Sequence, residues 1–305
     1  MRGKCLGETL TTKKDQEADF KLQKEPEEAG DAGSSEAKKL AAEVDEPEEV
    51  LVHPKHMDAT CFGYCASCEK VHELRIGASL EYAQNLLEQL EREGRLDFDA
   101  PPSKQKKKFT IENLFPGDRS HMLGVLECRN EKGEIVWLKA YSSLPGGYRK
   151  VPGWVPMIIS KEDFEKSVKP IQNKIKELTQ QIETFGAGAI RGEQLSRKRK
   201  RYSQDLQTAM PSLYTLYNYR QQKRKLKDVF YGNQGMPGGI GECCAPKLLN
   251  HAARKKLTPV SLAEFFWGKK NKDGKREKAL FRICCKSRCQ PIMGFMLCGL
   301  EPLDS

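Results

Sequence analysis

Eight of the eleven cysteines fall into three short runs, and these runs constrain the fold more than any other feature of the chain. The first run is Cys61, Cys65 and Cys68, with His72 close behind, in "CFGYCASCEKVH". The second is Cys243–Cys244 in "GGIGECCAPKLLNHA", directly after a glycine-rich turn. The third is Cys284, Cys285 and Cys289 in "CCKSRCQPIM". The acidic start of the chain lacks the apolar stretch of a signal peptide, so disulfides are not expected. Clustered thiols in a reducing compartment read as metal ligands or as reactive groups.

Cys61, Cys65, Cys68 and His72 follow the pattern C-x3-C-x2-C-x3-H. Soft thiolates and an imidazole at short spacing suit tetrahedral zinc, so this set is expected to hold one structural Zn. The competing reading is a loop with incidental thiols, and His53 and His56 lie close enough to compete as ligands. In the C-terminal part, Cys243, Cys285 and Cys289 are expected to converge at two helix N-termini, where free N–H groups and the dipole favour thiolate. Packing and redox chemistry are the alternatives for these thiols. Cys244, Cys284 and Cys298 are read as packing residues rather than ligands.

Net charge divides the chain unevenly. The first fifty residues carry 14 acidic and 8 basic side chains, a net of −6, while residues 51–305 carry +16. A basic body favours polyanionic partners, RNA or DNA first. The strongest stretch is 195–227, with ten Lys/Arg and one Asp. Its cations are Arg197, Lys198, Arg199, Lys200, Arg201, Arg220, Lys223, Arg224, Lys225 and Lys227, and Tyr202, Tyr214, Tyr217 and Tyr219 are interleaved. Cations neutralise phosphates and aromatics stack on unpaired bases. A solvated helical face is the alternative, and "RKRKR" also fits a nuclear-import signal. The mean hydropathy is −0.66, and no apolar run suggests a membrane span. A cytoplasmic or nuclear protein with no membrane partner is expected.

Periodicity gives an α/β chain in four parts. Residues 1–56 are expected to be a disordered acidic tail. Residues 57–160 read as the Cys/His zinc module, with an amphipathic helix carrying Leu80, Ala83, Leu86, Leu87 and Leu90 and stopped at Gly94. The same part holds a β-hairpin around Asn130–Gly133. Residues 161–228 read as a basic helical hairpin. Its stripe of Phe164, Val168, Ile171, Ile175, Leu178 and Ile182 is broken by Gly186–Gly192. Residues 229–305 read as an α/β core with "PVSLAEFFWG" as its strand.

In that core, a Cys opening one helix and a Cys pair opening the next, with a strand between, resembles the layout of zinc nucleobase deaminases. Those enzymes pair the zinc with a proton-shuttling Glu. Here Ala245 sits where that Glu is expected, and three residues rather than two separate Cys285 from Cys289. Glu242 and Glu264 are the candidate substitutes. A wider resemblance rests on "MLGVLECRNEKGEIVWLKAYSS", "LSRKRKRYSQDLQ", "GECCAPKLLNHA", "LAEFFWG" and "CKSRCQPIMGFML", in that order. Over roughly residues 118–300 the chain resembles the long N-terminal extension of RluA-type pseudouridine synthases and related stand-alone proteins. The His-Arg-Leu-Asp motif that supplies their catalytic Asp is absent from the sequence. The resemblance implies an RNA-modification setting without uridine isomerisation by this chain itself. The leading expectation is an RNA-associated, zinc-binding accessory factor. The alternatives are an active zinc-dependent nucleobase deaminase and a non-enzymatic scaffold that binds protein through the helical hairpin.

Overall fold

A computed structural model describes residues 55–115, 121–143, 145–232, 235–268 and 281–300. In chain order a first hairpin, β1 (Ala59–Cys65) and β2 (Lys70–Arg75), leads to helix α1 (Ser79–Glu93). A single turn, α2 (Ile111–Leu114), precedes β3 (His121–Arg129) and β4 (Ile135–Tyr141). The helical part comprises α3 (Lys161–Asp163), α4 (Lys169–Phe185) and α5 (Ile190–Leu213). A small hairpin, β5 (Thr215–Tyr217) and β6 (Lys223–Lys225), runs into the turn α6 (Leu226–Val229). Helix α7 (Cys244–Arg254), strands β7 (Thr258–Trp267) and β8 (Phe281–Arg282), and helix α8 (Gln290–Met296) complete the order. The expected acidic tail lies outside the described residues except for its last two.

The central sheet has the order β4-β3-β7-β8, and every neighbouring pair is antiparallel. Because side chains alternate across a strand, its two faces can be read from residue parity. Leu123, Val125, Ala263 and Phe265 face Ala83, Leu86 and Leu90 of α1. Leu126, Cys128 and Leu262 face Leu248 and Ala252 of α7. Both faces are covered, which is why β7 reads as a nearly continuous apolar run instead of an alternating one. Each buried leucine contributes about 1.5–3 kcal/mol relative to exposure. Two turn expectations hold. Gly94, at φ 60°, caps α1 with its N–H on Leu90 O. Gly133, at φ 80°, closes the β3–β4 turn, where Asn130 Oδ1 accepts the N–H groups of Lys132 and Glu134. A third glycine sets depth. Gly124 on β3 pairs with Glu264 on β7, and a Cβ there would sit 2.6 Å from Cys244 Cβ. Its absence lets the start of α7 press onto the sheet.

Three sequence expectations need correction. The divisions at 160/161 and 228/229 are not packing boundaries: the described residues belong to one compact unit, and β3 and β4 share a sheet with β7. The helical hairpin ends at Leu213 rather than near Lys227. Beyond it Tyr214 and Leu216 are buried while Thr215 and Tyr217 are half-exposed, a period of two that makes a strand. The break between the long helices is also narrower than Gly186–Gly192, because α5 already begins at Ile190. Val168, Leu178 and Ile182 of the expected stripe are buried. No helix among the described residues is long and apolar enough to cross a membrane.

Candidate metal centres

Two groups of donor atoms converge. In the first, Cys65, Cys68, His72 and Cys298 place their donors within 4.8 Å of one another. The β1–β2 turn builds three of the four. The N–H groups of Cys68 and Glu69 both donate to Cys65 O, at 3.2 and 2.8 Å, and Glu69 takes a φ of 53°. This knuckle turns the thiols of Cys65 and Cys68 to one side, and His72 on β2 joins them. Cys298, just beyond α8, brings its sulfur to 3.4 Å from Cys68. Tetrahedral coordination by thiolates needs sulfurs about 3.8 Å apart, so these separations fit an ion. The imidazole gives independent support, because His72 Nε2 is buried without a hydrogen-bond partner. Such an orphan is rare unless a ligand satisfies it. Burial first, and then Lys70 and Arg220, lower the His72 pKa and keep a lone pair free. Burial opposes ionisation of Cys68, but contacts with Cys298 and Cys65 and the cations Arg220 and Lys70 outweigh it, and its pKa is lowered.

Cys61 is not a fourth donor here. It stands four residues before Cys65 on an extended strand, roughly 13 Å away at ~3.3 Å per residue. Its sulfur packs at 3.2 Å from Met293 Sδ in the fully buried core. Cys298, read from sequence as packing, takes the place instead. Two glycines make room for it in the structure. A Cβ on Gly63 would lie 2.4 Å from Gln290 O, and one on Gly294 would lie 1.9 Å from Tyr64 O. Bare backbone on both sides lets α8 lie directly against β1, which delivers Cys298 to the knuckle. His56 is turned away and paired with Glu73, and His53 lies outside the described residues.

In the second group Cys243, Cys285 and Cys289 place their sulfurs within 4.8 Å of one another, as their positions before two helices led one to expect. Cys243 is the N-cap of α7 and Cys289 the N-cap of α8. Cys285 lies on the turn before α8, where the N–H groups of Cys289 and Gln290 donate to its carbonyl, at 3.0 and 3.1 Å. That turn absorbs the extra residue of the spacing, and Cys285 Sγ lies 3.3 Å from Cys289 Sγ. Three adjacent thiols cannot all ionise without a cation. The pKa of Cys285 is lowered by its contacts with Cys243 first and Cys289 second, aided by the N–H groups of Arg288 and Cys289. The pKa of Cys289 is correspondingly raised, chiefly by its contact with Cys243. A divalent cation would let all three act as thiolates. Cys243 and Cys285 are only half-buried, so the group faces outward on one side. Helix α8 therefore joins the two centres, with Cys289 at its head and Cys298 just past its end.

The two candidate carboxylates separate. Glu264 comes up from β7 on the α7 face and is buried. Its Oε1 accepts the N–H of Ala245 at 3.0 Å, the very position where the deaminase layout carries its Glu. Burial pushes the Glu264 carboxyl up to about 7 against the pull of that N–H, and the charge of Cys285 adds to the rise. Glu242 turns elsewhere and accepts the hydroxyl of Tyr214 at 3.0 Å. The basic candidates also divide. Arg197, Lys198, Lys200 and Arg201 are exposed on α5, with Arg199 half-exposed, while Lys223, Arg224 and Lys225 line the exposed edge of β6. Lys227 is exposed on α6, and Arg220 donates to Cys68 Sγ at 3.4 Å. Of the interleaved tyrosines, Tyr214 is buried and Tyr219 is tied to Leu249 O at 3.1 Å, which leaves Tyr202 and Tyr217. Comparison of the chain with protein-family models, with curated proteins and with solved structures finds no match.

Proposed function

We propose that this chain is an RNA-associated protein that holds two zinc ions, one structural and one in an open, deaminase-like centre. What carries the reading is the difference in donor number: four donors converge at the knuckle and three between α7 and α8. Four fill a tetrahedral shell and three leave a position free, the usual distinction between structural and reactive zinc. Donor sets dominated by thiolate favour zinc over the harder cations. The basic surfaces of α5 and β6, together with the resemblance to the accessory region of pseudouridine synthases, support RNA as the polyanion and RNA modification as the setting. Metal analysis of protein purified without chelator should give close to two zinc ions per chain. Cys68→Ser should remove one and Cys285→Ser the other. Protein that carries no zinc overturns the reading. Charge reversal at Arg197–Arg201 should flatten the dependence of RNA affinity on salt, since each lost phosphate contact removes about 0.7 from the single-strand slope.

Glu264 favours a second, catalytic reading of the open centre. Zinc bound there supplies Lewis-acid chemistry for hydrolysis. The chain's own part is proton handling. The Glu264 carboxylate is held by the N–H groups of Ala245 and Cys244, and a carboxyl that burial raises to about 7 exchanges a proton readily at neutral pH. In a deamination that proton ends on the leaving amine. Ammonia release from cytidine, adenosine or RNA should be measurable with the zinc-loaded protein. It should fall about a hundredfold or more in Glu264→Gln, the typical scale of a lost acid–base group. Zinc-loaded protein that releases no ammonia from any of these leaves the open centre as a binding site.

A further inference from the structure

We infer that the cleft between β6 and the end of α7 is a seat for unpaired RNA, built from Tyr217, Arg254 and the three cations of β6. The inference rests on RNA as the partner and adds where a strand lies and what it offers. The cleft has a volume of about 500 Å³, and its lining includes Ser160, Tyr217, Lys223, Arg224, Lys225 and Arg254. Leu213 and Ile158 give it an apolar part, and Asp163 is the one carboxylate among the lining residues. That carboxylate is occupied locally, accepting the Ser160 hydroxyl at 2.9 Å. Four cations against one acid is a strong local field for phosphate.

Lysines on an exposed strand edge have a simpler use, because they keep the edge from pairing with another chain. Arg254 does not follow from that use. It belongs to the last turn of α7, a different element, yet it reaches the same cleft and places its guanidinium 5.8 Å from the centre of the Tyr217 ring. Tyr217 is held in place by its backbone, whose N–H donates to Asn250 Oδ1 at 2.9 Å. Asn250 is itself buried on α7. A half-exposed ring, on a backbone tied to the core and in a cleft lined by cations from two elements, combines stacking face and phosphate contacts as single-strand sites do. Duplex RNA keeps its bases stacked inside and cannot use such a ring.

Fluorescence anisotropy with a labelled single-stranded RNA of about ten nucleotides tests this. Tyr217→Ala should weaken binding about tenfold, within the range for one lost base stack. Tyr217→Phe, which keeps the ring, should bind like wild type. Arg254→Gln should lower the salt slope by about 0.7. A duplex of the same sequence should bind more weakly than the strand. Wild-type protein that binds no RNA overturns the RNA reading itself. Wild-type binding that survives both Tyr217→Ala and Arg254→Gln unchanged, or a duplex bound as well as the strand, overturns the cleft alone and leaves RNA contact to α5.

Discussion

Replacing Cys298 with serine should leave the protein with about one zinc ion per chain, whereas Cys61→Ala should keep both. The sequence pattern gives the opposite order, because Cys61 opens the C-x3-C-x2-C-x3-H run and Cys298 stands 226 residues beyond His72. Geometry decides between them. Cys298 Sγ lies 3.4 Å from Cys68 Sγ, while Cys61 packs against Met293 on the far stretch of β1. Structural zinc binds small peptides with about 10–16 kcal/mol at pH 7, and that energy is folding energy. Loss of one donor in four should therefore free the ion to a chromophoric chelator and also loosen the knuckle. Limited proteolysis near residues 66–69 should accelerate in Cys298→Ser and stay slow in Cys61→Ala. Zinc lost from Cys61→Ala but retained in Cys298→Ser would restore the sequence assignment. Cys61→Ala has its own cost, since its buried sulfur leaves a small cavity beside Met293, but that cost shows in stability and not in metal content.

How far the sequence reveals this molecule depends on the range of the interaction concerned. Local signals read well: Gly94 stops α1, Asn130–Gly133 turns the hairpin, and β7 announces itself as an apolar run. The convergence of Cys243 with Cys285 and Cys289 was legible from their places in front of two consecutive helices, although two strands, β7 and β8, and not the expected one lie between those helices. Cys298 was not legible by spacing, since it enters through the packing of α8 on β1. Nothing in a local window distinguishes Gly63 and Gly294 from ordinary turn or helix glycines until their contact is known. The domain divisions failed for a related reason. β3 and β4 look complete as a hairpin, but their second edge is paired by a strand about 130 residues later. The end of α5 was misread because cations and tyrosines continue past Leu213, and composition outlasts the helix there.

The contact between α8 and β1 makes a second strong prediction. Gly294→Ala should lower the midpoint of unfolding and also strip the knuckle of its zinc. Helix propensity alone says otherwise, since alanine is about 1 kcal/mol better than glycine inside a helix. The added Cβ, however, would stand 1.9 Å from Tyr64 O and 2.6 Å from Cys65 N. Both obstacles are backbone, so no rotamer change relieves the overlap, and α8 must lift from β1 by more than 1 Å or so. Forced overpacking usually costs about 1–3 kcal/mol and more where the backbone must move. At this size each 1 kcal/mol shifts the melting temperature by about 2–4 °C, so a fall of several degrees is expected. Zinc centres accept distances only within about 0.2 Å of the ideal, so the displaced Cys298 can no longer reach the ion. Gly188→Ala is the control: it has nothing within 4 Å of its added Cβ and should change neither stability nor zinc content. Gly294→Ala with wild-type melting and two zinc ions would mean that α8 does not lie on β1 at this depth, and the assignment of Cys298 would fall with it.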